Sequence, residues 1–254
     1  MKRYFLILCC ILTASISAIA EGPTYKIENE LKTRRISKGK VSNPDPVFLV
    51  NAKAEYMGLY FKAFMIDDLT DYNEAKNVNR YEPEKFEYTV GYALKLESIP
   101  LKLDLGYKYS DHQKDMQKGK DGVTKNEVFI KATADLLLHP GVKFQYDTDN
   151  GYFYVNPYIS HDFNVAEDIK LKTELNLYWM NDKYNKHEFK VDDGAFMSLY
   201  GKAYLEFKFN SYVSFGPLVE AGYALDSRIR DAWEESSKNN AVNFLAGFKM
   251  DVKF

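Results

Sequence analysis

The chain has 254 residues, of which 46% are hydrophobic, 15% aromatic and 28% charged, and its mean hydropathy is -0.41. That average excludes a bundle of membrane helices, each of which needs about 20 largely apolar residues, but it leaves room for a membrane β-barrel, whose strands alternate apolar and polar side chains. The 34 Lys+Arg and 36 Asp+Glu leave a net charge of -2 with no basic arm, so no nucleic-acid partner is expected.

From the N-terminus, Met1-Lys2-Arg3, an apolar run from Tyr4 to Leu12 and the small residues Ala18-Ile19-Ala20 make up a secretory signal peptide. It is predicted over 1–20, with cleavage after Ala20, and 21–254 is then one exported domain. Cys9 and Cys10, the two cysteines of the chain, leave with the signal. No disulfide or thiolate chemistry is therefore expected.

The rest alternates with period 2 over about ten residues at a time, the pattern of a strand buried on one side. Strands are predicted near 25–34, 46–56, 58–66, 85–97, 100–110, 125–138, 141–147, 151–162, 168–180, 195–209, 212–225 and 241–254. Their connections alternate between tight turns and longer polar loops at 35–45, 67–84, 111–124, 181–194 and 226–240, with a short exception at 147–151. Twelve strands with both termini at the short-turn end predict an all-β fold, a closed up-and-down antiparallel transmembrane β-barrel.

A soluble β-sandwich or lipocalin-like barrel would also alternate, but it would fill its interior with apolar side chains. Here the polar face carries long charged residues strand after strand, and many apolar faces begin or end with aromatics such as Tyr107, Trp179 and Tyr223, as membrane interfaces require. The predicted lumen therefore holds Lys53 and Lys62; Glu87, Lys95, Lys102 and Asp104; Lys131 and Asp135; Lys172 and Glu174; Lys202, Glu206 and Glu220; and Lys249 and Asp251. Lys26, Glu28 and Lys170 continue the set. In the last strand Phe248, Met250, Val252 and Phe254 share the apolar face and end on the final residue, which resembles the C-terminal assembly signal of Gram-negative outer-membrane proteins.

Several short motifs add a family resemblance. Arg34-Arg35-Ile36-Ser37-Lys38 precedes Asn43-Pro44-Asp45-Pro46, a hairpin follows at Met57-Gly58-Leu59-Tyr60, and Phe86-Glu87-Tyr88-Thr89-Val90-Gly91-Tyr92 leads to Leu105-Gly106-Tyr107-Lys108-Tyr109. This order resembles the TorF family of porin-like proteins, small Gram-negative outer-membrane β-barrels, although Ile36 stands where the family pattern favours glycine. The resemblance implies a pore.

No site for catalysis is expected. His112, His139, His161 and His187 fall in loops, a turn and a strand end, and Ser160 and His161 are strand neighbours, which point to opposite faces. Asp67-Asp68 with Asp71, Asp147 with Asp149, and Asp192-Asp193 are acidic clusters, but Asp147 to Gly151 reads as a hairpin turn rather than a calcium loop. Gly91, Gly106, Gly222 and Gly247 on the polar face are expected to relieve crowding and accept an aromatic neighbour. The expected function is passive diffusion of small hydrophilic solutes through a lumen of balanced charge, with weak ion selectivity. The alternative is a closed structural barrel whose outer loops bind a partner. Outer-membrane lipid and the barrel-assembly machinery are the expected partners, with no cofactor and no metal.

Overall fold

In this computed structural model residues 22–69, 85–96, 99–115, 120–235 and 240–254 are described. The signal peptide, Asp71 and most of the 67–84 loop lie outside them. The elements in chain order are β1 (Thr24–Lys32), β2 (Arg35–Ser37), β3 (Lys40–Asn43), β4 (Val47–Tyr56), β5 (Leu59–Asp68), β6 (Lys85–Leu96), β7 (Leu101–Asp115) and β8 (Lys120–Ala134). There follow β9 (Gly141–Asp147), β10 (Phe153–Ala166), β11 (Ile169–Met180), helix α1 (Asp182–Phe189), β12 (Ala195–Lys208), β13 (Val213–Ala224), helix α2 (Ser227–Glu234) and β14 (Val242–Lys253).

All strands except β2 and β3 form one closed antiparallel barrel. Each pairs with its sequence neighbours, and β1 closes the ring by pairing with both β4 and β14, so that Glu28 lies opposite Asn51 on one side and Asp251 on the other. Closure is the solution that leaves no backbone N–H or C=O on an open edge in hydrocarbon. Alternation sorts the side chains. On β14, Val242, Phe244, Phe248 and Met250 are exposed outward, whereas Asn243, Leu245 and Asp251 are buried inward. The same outward apolar surface runs over Val90, Tyr92, Leu105, Ile130, Phe144, Leu175 and Val219.

The start of β1 at Thr24 and the C-terminal Phe254 lie at the end with the tight turns, the near end. One of these, Met57-Gly58, has φ of 50° and 84°, the paired left-handed values of a two-residue hairpin. Three expected boundaries are corrected. β8 stops at Ala134 instead of 138, because Leu136-Leu137-Leu138 forms an exposed turn in which Leu138 and His139 take φ of 66° and 35°. β7 and β8 run on into the expected 111–124 loop, to Asp115 and from Lys120.

At the outer end three expected loops are folded. Residues 35–43 form a hairpin, β2–β3, which pairs only with itself and folds into the barrel. α1 and α2 cover the mouth, where Phe189, Ile229 and Trp233 pack with Tyr154, Met180 and Met197. Two apolar clusters thus sit where outer segments fold back over the barrel, and a third, Val47, Leu49 and Ile66, lies between β4 and β5.

Candidate functional site

The side chains of the lumen lie in rows set by the strand register. One row runs Asp104, Lys131, Lys143 and Asn156 across β7 to β10; another runs Ser160, Glu174, Lys202 and Glu220 across β10 to β13. Because adjacent strands stand about 4.8 Å apart, a lysine can reach past its direct neighbour to the next strand.

On the β12–β13–β14–β1 wall the charges are matched. Lys249 Nζ lies 2.8 Å from Glu28 and 3.4 Å from Asp251, Lys32 lies 2.7 Å from Glu220, and Lys202 lies 3.2 Å from Glu30 and 3.8 Å from Glu220. Lys172 pairs with Glu206 at 2.8 Å, and Lys26 pairs with Glu28. These pairs run along one wall, from neighbouring strands in Lys249–Glu28 to three strands apart in Lys202–Glu30. A second group joins Glu87 to Lys85 and Lys108, and Lys108 to Glu127.

The facing wall differs. Lys131 and Lys143 are direct cross-strand partners. Lys131 Nζ rests 4.6 Å from the centre of the Tyr158 ring and Lys143 Nζ 4.7 Å from that of Phe129. Asp104, next to Lys131 in register, accepts a hydrogen bond from the Tyr60 hydroxyl at 2.6 Å, and Lys62 lies over the Tyr60 ring. Among the described residues Lys62, Lys131 and Lys143 have no carboxylate oxygen within 4 Å. Beside them opens a cavity of about 190 Å³ lined by Lys131, Lys143, Tyr154, Asn156, Tyr158, Glu174, Asn176 and Tyr178.

The hairpin stands above this cavity. Its tip, Lys38-Gly39, has φ of 53° and 86°, again a two-residue turn. The Ser198 hydroxyl donates to the Lys38 carbonyl at 2.6 Å and the Asn243 amide to that of Gly39 at 3.1 Å, while Ile36 and Val41 bury themselves against Leu218 and Leu245. From that anchorage Lys38 Nζ reaches 4.3 Å from the Tyr154 ring centre, over the cavity wall. Burial pushes its ammonium down to about 8, opposed by Glu127 and aided by Lys108, Lys125 and Lys85. Lys40 ties the hairpin to α1 through Glu188 at 3.3 Å.

Of the other expected lumen residues, Lys53 pairs with Glu55, while Lys95 and Lys102 face each other, exposed, near the near rim. Asp135 falls outside the strands, in the exposed β8–β9 turn, 3.5 Å from His139. Sequence reasoning missed Lys38, Lys143, Tyr154 and Tyr158. Lys143 and the two tyrosines share the inward register of residues it did name.

The expected glycine partners are found at Gly91, covered by Tyr60, and at Gly106, covered by Phe129; Gly222 instead meets the Gly39 backbone, and Gly247 meets Leu31 and Lys32. Asp147 is occupied as a turn acceptor, taking the N–H groups of Asp149 and Asn150 at 2.9 and 3.0 Å. The His139 and His161 rings stack at 6.3 Å at the near rim, and His161 packs edge-on to Phe163.

No family model matches the sequence, so the TorF resemblance remains one of motifs, and no curated protein matches it. Among solved structures a NanC porin is similar over 91% of this chain and 100% of that one, with a TM-score of 0.52 and 12% identity. A KdgM porin (TM-score 0.47, 10% identity, 91% of this chain and 98% of that one) and an outer-membrane channel from Pseudomonas putida F1 (0.46, 9%, 94% and 98%) are more distant. At such identities the likeness is one of fold, and the fold is that of a porin barrel.

Proposed function

We propose that the protein is a porin-like channel of the outer membrane, exported through the 1–20 signal, that admits small hydrophilic solutes by passive diffusion. The observation that carries this function is the closed barrel with an apolar outside and a charged, cavity-bearing inside. Twelve strands at that spacing and a tilt near 40° give a backbone radius on the order of 12 Å, and the inward hairpin takes up part of it. The channel is accordingly narrow. Its ion selectivity is weak and leans toward anions, because carboxylates are matched along one wall while Lys62, Lys131 and Lys143 are not. No catalytic role is assigned.

Planar-bilayer recording of the folded protein tests this: discrete conductance with a modest anion preference is expected, and either silence or a strong cation preference would overturn it. The packing of α1, α2 and the hairpin at the outer mouth favours one alternative, a closed barrel that binds a partner through its outer surface. Liposome swelling separates the two, since a closed barrel admits no sugar.

A further inference from the structure

Lys131 and Lys143 are one of several lysine pairs set directly opposite each other in this barrel, with Lys53–Lys62 and Lys95–Lys102, and both of its members line the cavity. Like charges directly opposite on neighbouring strands destabilise a sheet, and here no acidic side chain among the described residues intervenes. The ammonium groups are held over ring faces, Lys131 on Tyr158 and Lys143 on Phe129 with Tyr154 at 5.8 Å, and cation–π contact leaves N–H donors free for a ligand.

Across the same cavity stands Glu174, unmatched in a different way. Its register partner on β12 is Lys202, but that ammonium is turned to Glu30 and Glu220. What Glu174 does receive is the neutral Asn176 amide at 2.7 Å. The cavity therefore presents two lysines and one carboxylate, none of them within 4 Å of an opposite charge among the described residues, around about 190 Å³. At ~30 Å³ per water this is room for about six waters or one small solute.

We propose that this cavity is a binding subsite for small acidic zwitterions, solutes with two anionic groups and one ammonium, whose charges complement Lys131, Lys143 and Glu174 in sign and number. It deepens the channel function, placing a selective step on the diffusion path, yet binding itself needs no conduction. The two lysines take the anionic groups and Glu174 the ammonium. A simple dianion would satisfy the lysines and be repelled by Glu174.

Calorimetric titration of the folded, detergent-solubilised protein with L-glutamate and with glutarate, which lacks the amine, tests the assignment. Wild type should bind glutamate about tenfold more tightly than glutarate, the worth of one charge-assisted contact. Glu174→Gln should abolish that preference while keeping glutarate binding, and Lys131→Gln with Lys143→Gln should lose both probes while the barrel still shows heat-modifiable migration. Equal binding of the two probes by wild type, a preference unchanged in Glu174→Gln, or no glutamate binding by the folded protein would each overturn the subsite. A barrel that binds glutamate with the expected preference but carries no current overturns the channel and leaves the subsite standing.

Discussion

At Gly222 the inward face of β13 has no room for a side chain, because a Cβ there would overlap the backbone of Gly39 at the hairpin tip. Gly222→Val must move something. The ladder from Tyr200 through Gly222 to Asn243 is built of backbone groups, whereas the hairpin tip is held by two side-chain hydrogen bonds, worth about 1 kcal/mol each. Overpacking strain of about 1–3 kcal/mol should therefore displace the hairpin and leave the barrel closed. A larger single-channel conductance with unchanged migration of the folded band is expected; unchanged conductance would count against a hairpin that narrows the pore.

Glu188 supports the same hairpin from α1. Burial pushes its carboxyl up, but Lys40, with smaller help from His187 and Lys125, more than reverses this and holds it below its ordinary 4.5. A depressed folded value means that the contribution is present above 4.5 and is lost as pH falls through the folded value. Both side chains are more than a quarter exposed, 29% for Lys40 and 28% for Glu188, so the pair contributes about 0.2–1 kcal/mol. Open-channel noise should stay level from neutral pH down to 5 and rise below 4, and Glu188→Gln should show the raised noise at neutral pH. The charge types of the lumen were legible at this scale because period 2 fixes which face a residue occupies. Who pairs with whom was not: Lys202 bypasses Glu174 for Glu30 and Glu220, a choice made by reach across strands rather than by sequence spacing.

Among the elements, the barrel strands were readable and the outer folded segments were not. α1 and α2 are 8 residues each, about two turns, too short for apolar periodicity to register. Their start signals were present all the same, Asn181 capping α1 by accepting from the Tyr184 N–H, and Asp226 capping α2 by accepting from those of Arg228 and Ile229. The hairpin left a subtler trace. The inward positions Leu218 and Leu245 of β13 and β14 put large apolar side chains on a face that also carries Glu220, Asn243 and Asp251, and they are covered by Ile36 and Val41. Trp233 is fully buried at the mouth. Trp233→Ala removes that contact from a segment outside the barrel ladder, at a cost of about 3–5 kcal/mol. Limited proteolysis should then cut within 226–240 while the strands resist; resistance equal to wild type would show that α2 is held without its tryptophan.

For the whole molecule, closure and assembly meet at the last residue. The Tyr25 and Phe254 backbones exchange hydrogen bonds, N to O at 3.2 Å and 3.0 Å in the two directions, at the near end of the β1–β14 seam. Phe248, Met250 and Phe254 point outward along that seam and stay exposed, with Phe248 stacked on Phe215 at 6.0 Å. The backbone pair does not depend on the Phe254 ring, so replacing the ring leaves the seam's hydrogen bonds intact. A charge at this height sits by the membrane interface, where its cost on the lipid face is about 0–1 kcal/mol, too little to unfold a barrel closed by twelve backbone ladders. Any larger effect must come from a step before the fold exists, when the C-terminal strand is recognised as an unpaired segment. Phe254→Asp is therefore expected to fold in detergent from the purified chain, with unchanged heat-modifiable migration, and to be severely depleted from the outer membrane of cells. Wild-type levels in cells would refute recognition of this strand, and failure to refold in vitro would locate the effect in the barrel itself.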